Sequence, residues 1–475
     1  MFTKDRFRYI IYPKEEKTVV SYVRLRNFKS FSNVMFDLRG PHGIPKKLAF
    51  VYGENGAGKS NLMLAMLFIM LSFDTVKIQA SQRKLNIPSA DEMKEGNIPD
   101  ELIGFFEALK SRYYTLPELI DRYWTIDNTE PMEVEIGFYC NGKSGHYLTK
   151  FSREEIIEEK LYYTINERAG AMFSIERDKA VLSPSVFIDT KYRQELAETI
   201  EKFWGKHTFF SILFEELRSK NKEYIENRIL RNLLVVLEMF QKISTWYKGG
   251  TQETARVAVP VRFLKDLERG KIESEQDTTL HAFEKILNQF FTQLYSDIKR
   301  VYYRLEKKDN KVFYELYFDK ICGKKLRAVP ISQESTGTKK LLETFPLLFS
   351  CTMNTTAFVD EIDTGIHDLL MKETIELLQE SLKETEEGQF IATTHNTLLL
   401  DSLEPESIYI LRSKIDGEKE LVCVTDYAFR THRNNSIRHK YLQGIYQGVP
   451  QIGYLDLNEL VADAMREIRE NGEEA

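Results

Sequence analysis

Cysteine is scarce in this chain. Its 475 residues hold four, Cys140, Cys322, Cys351 and Cys423, and no two of them form a C-x-x-C pair. That spacing argues against a disulfide framework or a zinc clasp and fits free thiols in a reducing cytosol. Long apolar runs are missing too: the most lipid-like stretch, Leu62 to Leu71, is about half of what a bilayer crossing requires. Lys4 and Arg6 lie at the N-terminus with no signal-peptide core behind them, so a cytoplasmic protein without a membrane partner is expected. Neither sign of charge dominates. A net charge of -6 argues against a surface that coats nucleic acid and leaves room only for a local basic patch. Sustained heptads and internal repeats are also lacking, which excludes a long coiled coil. With 42% hydrophobic and 29% charged residues, the chain can bury a large core, and its length allows about two or three domains.

What is present is concentrated in two short regions. Gly53-Glu54-Asn55-Gly56-Ala57-Gly58-Lys59-Ser60-Asn61 fits the phosphate-loop pattern G-x-x-x-x-G-K-[ST] without a mismatch. Apolar Leu48 to Tyr52 precedes it and apolar Leu62 to Leu71 follows, giving the strand–loop–helix context the motif requires. Glycines there let backbone N–H groups curl around phosphate oxygens, and a helix beginning near Lys59 aims its positive end at the same charge. Lys59 is expected on the β and γ phosphates, and the Ser60 hydroxyl on a magnesium ion. A plain Gly-rich turn is the bland alternative, and the complete motif in this context outweighs it. The pattern implies a bound nucleoside triphosphate.

The second region lies in the C-terminal half. Ala357-Phe358-Val359-Asp360-Glu361 reads as a short apolar strand ending in two carboxylates. Asp360 would hold the magnesium through water, leaving Glu361 to polarise the attacking water. Asp363 opens the turn Asp363-Thr364-Gly365-Ile366-His367, and Phe390 to His395 is a β-rich run ending in an imidazole. If it ends at the same sheet edge, His395 lies near the γ-phosphate. Ahead of these, Ser335 and Gly337 stand before an apolar helix, Leu341 to Phe349. A helix N-terminus there is a second anion site, which a single chain does not need, so it is expected to reach the γ-phosphate on another copy. Simple N-capping by Ser335 is the bland alternative.

Together, Asn27-Phe28-Lys29-Ser30-Phe31, the phosphate loop, Ser335 to Thr338, Asp360 to Asp363 and Thr394-His395-Asn396 resemble the ABC-type ATPases of the SMC, RecF and OLD group. Within it the chain is most similar to stand-alone ATPases of bacterial phage-defence operons, the RloA-like proteins and the AriA subunit of PARIS systems. The resemblance implies an α/β ABC-ATPase head, a mixed sheet with a P-loop core, carrying an inserted helical lobe. It implies ATP and Mg2+ as cofactors, with Asn55, Gly56, Ala57, Gly58, Lys59, Ser60 and Asn61 around the nucleotide. Ser60 and Asp360 would be on the metal and Glu361 with His395 in catalysis. Ser335 and Gly337 match the signature loop that acts in trans, Asp363 the D-loop, and Lys29 with Ser30 the N-terminal pair near the nucleotide. Glu334 to Thr338 departs from the usual Leu-Ser-Gly-Gly-Gln, which leaves the strength of nucleotide-driven dimerisation open. Gln79 and Gln82 are Q-loop candidates by position only.

The resemblance also bears on partners and organisation. It implies a head-to-head homodimer or higher homo-oligomer, a separate effector such as a TOPRIM-type nuclease, and a phage-encoded trigger. Only about eighty residues follow His395, too few for a TOPRIM domain as well as the closing strands. The alternative is a RecF-like repair factor that clamps DNA; a transporter subunit fits less well. The expected division is 1–165 and 301–430 as the two parts of the head, 166–300 as a mainly helical insertion, and 431–475 as a helical segment for partner docking. Further expectations are a hairpin over Val23 to Leu38 and strands at Glu133 to Cys140 and Tyr147 to Phe151. A polar loop is expected from Lys77 to Asp100, and helices from Tyr192 to Arg300. Arg430, His432, Arg433, Arg438, His439 and Lys440, with Tyr441 and Tyr446, read as a solvated helix face or, less simply, a docking or nucleic-acid patch.

Overall fold

The computed structural model describes residues 18–85, 114–249, 252–256, 266–273, 277–308, 311–385, 387–427, 436–450 and 456–472. In chain order the strands are β1 (Thr18–Phe28), β2 (Phe31–Asp37), β3 (Leu48–Tyr52), β4 (Met132–Cys140), β5 (Lys143–Phe151), β6 (Ile156–Ile165), β7 (Arg168–Glu176), β8 (Lys179–Leu182), β9 (Ile243–Gly249), β10 (Gln252–Arg256), β11 (Arg269–Glu273), β12 (Ile298–Lys308), β13 (Lys311–Cys322), β14 (Lys325–Pro330), β15 (Thr356–Val359), β16 (Gln389–Thr393), β17 (Ile408–Ser413) and β18 (Lys419–Cys423). The helices are α1 (Lys59–Ser72), α2 (Thr75–Leu85), α3 (Leu116–Tyr123), α4 (Thr190–Phe203), α5 (Phe209–Ser219), α6 (Lys222–Glu226), α7 (Arg231–Gln241), α8 (Asp277–Leu294), α9 (Thr336–Cys351), α10 (Asp368–Glu384), α11 (Ile437–Leu442) and α12 (Leu457–Gly472).

The central sheet runs β10-β9-β15-β16-β3-β17-β18. Its five inner strands are parallel, and β10 and β18 close the edges antiparallel. Every residue of β3, β15 and β16 is buried, as expected for strands covered on both faces. Alternation along β3 sends Ala49 and Val51 into one core and Leu48, Phe50 and Tyr52 into the other. The first core lies against the antiparallel sheet β2-β1-β4-β5-β6-β7-β8, with α1 sunk in it from Leu62 to Met70. That burial explains the evenly apolar α1. Among the described residues, no single helix is long and apolar enough to cross a membrane. The second core holds α8, α9 and the inner face of β12 and β13. The chain is thus a mixed α/β structure in which a central, mostly parallel sheet carrying the phosphate-loop strand lies between two cores.

The expected hairpin and the strands after Met132 are present, with Asn141 and Gly142 (φ 48° and 81°) making the β4–β5 turn. Three expectations need correction. Residues 77–85 belong to α2, so the polar stretch after α1 begins as a helix; 86–100 lie outside the described residues. The segment from Tyr192 to Arg300 is not helical throughout: β9 runs parallel to β15 inside the central sheet, followed by β10 and β11. The rings of Phe210 and Phe214 on α5 and of Phe240 on α7 pack on Phe73 at the end of α1. The third concerns Tyr441 and Tyr446, read with the basic segment as part of a solvated helix face or, less simply, of a docking patch. Both are buried, Tyr441 edge-on to Tyr52 with ring centroids 5.6 Å apart. Arg438 pairs with Asp401 and Lys440 is buried, while Arg430, His432 and Arg433 lie outside the described residues.

Candidate nucleotide site

The C-terminal ends of β9, β15, β16 and β3 meet along one edge of the central sheet, where open α/β sheets bind ligands. The phosphate loop follows β3. Gly53 is required because a Cβ there would come within 2.5 Å of the Leu411 carbonyl oxygen on β17. Gly58, at φ +106°, turns the chain into α1 so closely that a Cβ would lie 2.9 Å from the Phe31 ring. Behind the loop, Tyr441 donates to the Gly448 carbonyl at 3.0 Å, and a Cβ on Gly448 would approach the Gly53 Cα at 3.7 Å. Residues 441–448 therefore brace the loop from behind, a role their polar sequence does not suggest. The Lys59 ammonium donates to the Gly53 and Glu54 carbonyls at 2.8 and 3.0 Å, holding the loop curled. Burial pushes its pKa down, against the carboxylates of Asp360, Glu361 and Asp363.

Asp360, at the end of β15, is 1% exposed. Its backbone N–H donates to Trp246 O on β9 at 2.8 Å, and Oδ1 accepts from the Thr393 hydroxyl at 2.7 Å. Burial pushes its pKa up, partly offset by the hydroxyls of Thr393 and Ser60. Oδ2 is buried without a hydrogen-bond partner among the described residues. An orphaned carboxylate oxygen beside a serine hydroxyl is the donor set that a hard divalent cation takes, so Ser60 and Asp360 fit magnesium. Glu361 follows with φ +47°, an uncommon backbone state for a side-chain-bearing residue. Thr393 Oγ1 accepts from the Glu361 N–H at 2.7 Å, and Thr364 Oγ1 donates to Glu361 Oε2 at 3.1 Å. Thr393 thus fixes both acidic residues from the neighbouring strand, a role unseen in the sequence.

The His395 N–H donates to Asp363 Oδ2 at 3.1 Å, tying the D-loop to the turn after β16. Partial burial, then the Lys59 charge, push the His395 imidazole below its ordinary pKa. Asn396 holds that turn by donating from Nδ2 to Asp368 O at 2.9 Å. At the other end of the loop, Asn61 Nδ2 donates to Ser30 Oγ at 2.8 Å, so Ser30 stands beside the nucleotide motif. Lys29 does not point the same way as its neighbour: its ammonium lies over the Tyr123 ring, 5.4 Å from the centroid. Asn55 and Gly56 are exposed at the loop tip, and Ala57 is buried.

Ser335 is the exposed N-cap of α9, its Oγ accepting from Thr338 N at 3.2 Å. Capping is therefore present. Gly337 packs so near the D-loop that a Cβ would lie 3.2 Å from the Gly365 carbonyl oxygen. Five residues past the cap, the Lys340 ammonium lies 3.8 Å from the Trp246 ring centroid. Gln79 and Gln82 are on α2, which packs against α5.

A P-loop, an acidic strand end and a histidine turn converging on one sheet edge define a nucleotide-binding ATPase. A profile of the family described as "AAA domain, putative AbiEii toxin, Type IV TA system" matches residues 48–401. The chain belongs to that family. Among solved structures it is similar to the SMC head bound to the C-winged helix domain of ScpA, at 16% identity over 85% of this chain and 97% of that one, TM-score 0.41. It is also similar to the Pyrococcus furiosus SMC head bound to the C-terminal domain of ScpA (15% identity, 85% and 96% covered, TM-score 0.40). The SMC head domain from Thermotoga maritima follows (15%, 85% and 98%, 0.35). No curated protein is significantly similar in sequence.

Proposed function

We propose that this chain binds ATP with Mg2+, hydrolyses it, and uses the cycle to control a separate effector in anti-phage defence. The observation that carries the enzymatic part is the Asp360 carboxylate: its Oδ2 is buried without a geometric hydrogen-bond partner among the described residues, and the Ser60 hydroxyl of an intact phosphate loop acts on it. Lys59 holds the phosphates, Ser60 and Asp360 hold the metal, and Glu361 orients the attacking water while His395 borders the γ-phosphate. The metal, when bound, neutralises charge on the phosphate oxygens. Two heads facing one another would each receive Ser335 from the other, and Ser335 stands exposed at a helix N-terminus as this requires. Opening and closing of that interface would shift the effector between held and released states.

The family's description as a toxin of a toxin–antitoxin system supports a defence role. An effector has a surface to take: α12 displays Leu457, Leu460, Val461, Met465 and Ile468, all exposed. Equilibrium binding of Mg-ATP and phosphate release test the first part; Lys59→Ala should abolish both. Persisting affinity in that variant would remove the phosphate loop from the site. Co-expression with the product of the adjoining gene tests the second. A stable complex that survives purification is expected from the full chain and lost when α12 is deleted; a complex indifferent to α12 would move the contact elsewhere.

A further inference from the structure

The strand β9 brings an unforeseen side chain to the nucleotide edge. Its register is fixed by the parallel pairing Val359↔Trp246 and by the bond from Asp360 N–H to Trp246 O. Side chains alternate along each strand. Val359 and Trp246 both enter the second core, so the next residues, Asp360 and Tyr247, share the opposite face, the face of α1 and Ser60. Tyr247 packs there against the first core and is half-buried. Asp360, Glu361 and Arg122 are the charged groups that act on its phenol. Tyr123, on whose ring Lys29 rests, lies on the same side.

We propose that Tyr247 is a positioning residue of the metal side of this site, its hydroxyl donating to water held between Asp360 and the bound magnesium–triphosphate. This rests on the ATPase reading above. Two observations support it independently of one another. Asp360 Oδ2 is a buried acceptor left open on the face that Tyr247 shares. The phenol itself, meanwhile, engages no hydrogen bond with a described residue. A donor and an open acceptor at neighbouring positions of paired strands, on the face of the P-loop serine, are the setting a hydrated cation takes. Burial and the Asp360 charge push the phenol above its ordinary value, so it remains a donor throughout the neutral range.

The test is Tyr247→Phe, which keeps the ring in the core and removes only the hydroxyl. Binding of a non-hydrolysable ATP analogue is measured with Mg2+ and with EDTA, and the ratio of the two affinities is the readout. One lost hydrogen bond predicts that the enhancement by Mg2+ falls about 5- to 10-fold, with affinity in EDTA and the melting temperature of the unliganded protein unchanged. Tyr247→Ala should show the same loss together with a lower melting temperature. An unchanged Mg2+ enhancement in Tyr247→Phe would overturn the assignment, as would equal losses with and without Mg2+, the mark of a merely structural hydroxyl. Wild-type protein that fails to bind the analogue at all would instead overturn the ATPase reading, and this inference with it.

Discussion

At the scale of single residues, the site separates binding from turnover. On the proposed reading Glu361 carries neither the loop nor the metal, and its left-handed backbone and its bonds to Thr393 and Thr364 aim the carboxylate that would serve as base. Glu361→Gln preserves the shape and the Thr364 contact while removing the base. Nucleotide affinity should stay within about twofold while turnover falls by about 10²–10⁴-fold. Single-turnover phosphate release measures this, and an unchanged rate would place the base elsewhere. His395 gives a second expectation, with a definite sign. Its folded pKa lies below the ordinary 6.5. The unfolded chain therefore takes up a proton first as pH falls through about 6.5, so this residue's effect is to reduce stability there, and none is felt at higher pH. The folded imidazole stays neutral until a lower pH is reached. Turnover should hold its plateau down to about pH 6.5, and the acid limb contributed by His395 should vanish in His395→Gln. An acid limb centred above that value and removed by the substitution would contradict the assigned shift.

At the scale of elements, one side chain joins the two large sheets. Gln389 opens β16 fully buried, and its Nε2 donates to the carbonyls of Val20 on β1 and of Lys46, each at 2.9 Å. Its Oε1 accepts from the Val20 N–H at 3.1 Å, beside the irregularity that interrupts the β1–β4 ladder. Gln389→Leu would keep the volume but leave these backbone groups unpaired, costing about 2–4 kcal/mol. Urea unfolding should show a lower midpoint with an unchanged slope; a midpoint equal to wild type would mean that water replaces the amide. What the sequence made legible follows from the same distinction between local and distant causes. The phosphate loop, the acidic strand end and the turn before Asn396 were readable because their chemistry requires contiguous residues. Strand β9 was not: Ile243 and Trp246 continue the helical spacing of apolar residues in α7, and only pairing with β15, far along the chain, makes this stretch a strand. Thr393, Trp246 and Tyr247 owe their places to that pairing, so no local spacing announces them. The burial of Tyr441 is hidden for a related reason, since a basic, polar neighbourhood reads as solvated until Tyr52 and Gly448 are brought against it.

At the scale of the whole molecule, the open question is whether one chain holds a complete site. Ser335 is exposed, yet within its own chain it only caps α9, while Gly337 leans on the D-loop at Gly365. A symmetric pair of heads would give each phosphate loop the serine of its neighbour, because an isologous interface presents the same patch from both sides. Mixing variants separates this arrangement from a self-sufficient chain. Lys59→Ala cannot hold nucleotide but still offers Ser335; Ser335→Ala holds nucleotide but has no serine to lend, at a capping cost of about 1 kcal/mol that the fold should bear. Each alone should be inactive. In an equal mixture that exchanges subunits, half the pairs are mixed, and each mixed pair contains one complete site: the phosphate loop of the Ser335→Ala chain facing the serine of the Lys59→Ala chain. ATP turnover should therefore recover to about a quarter of the wild-type rate if the two sites fire independently. A chain that used its own serine would gain nothing from mixing, since neither variant carries both parts. Absence of recovery at every ratio, with exchange confirmed by a size tag on one variant, would confine Ser335 to its capping role and make the single head the catalytic unit.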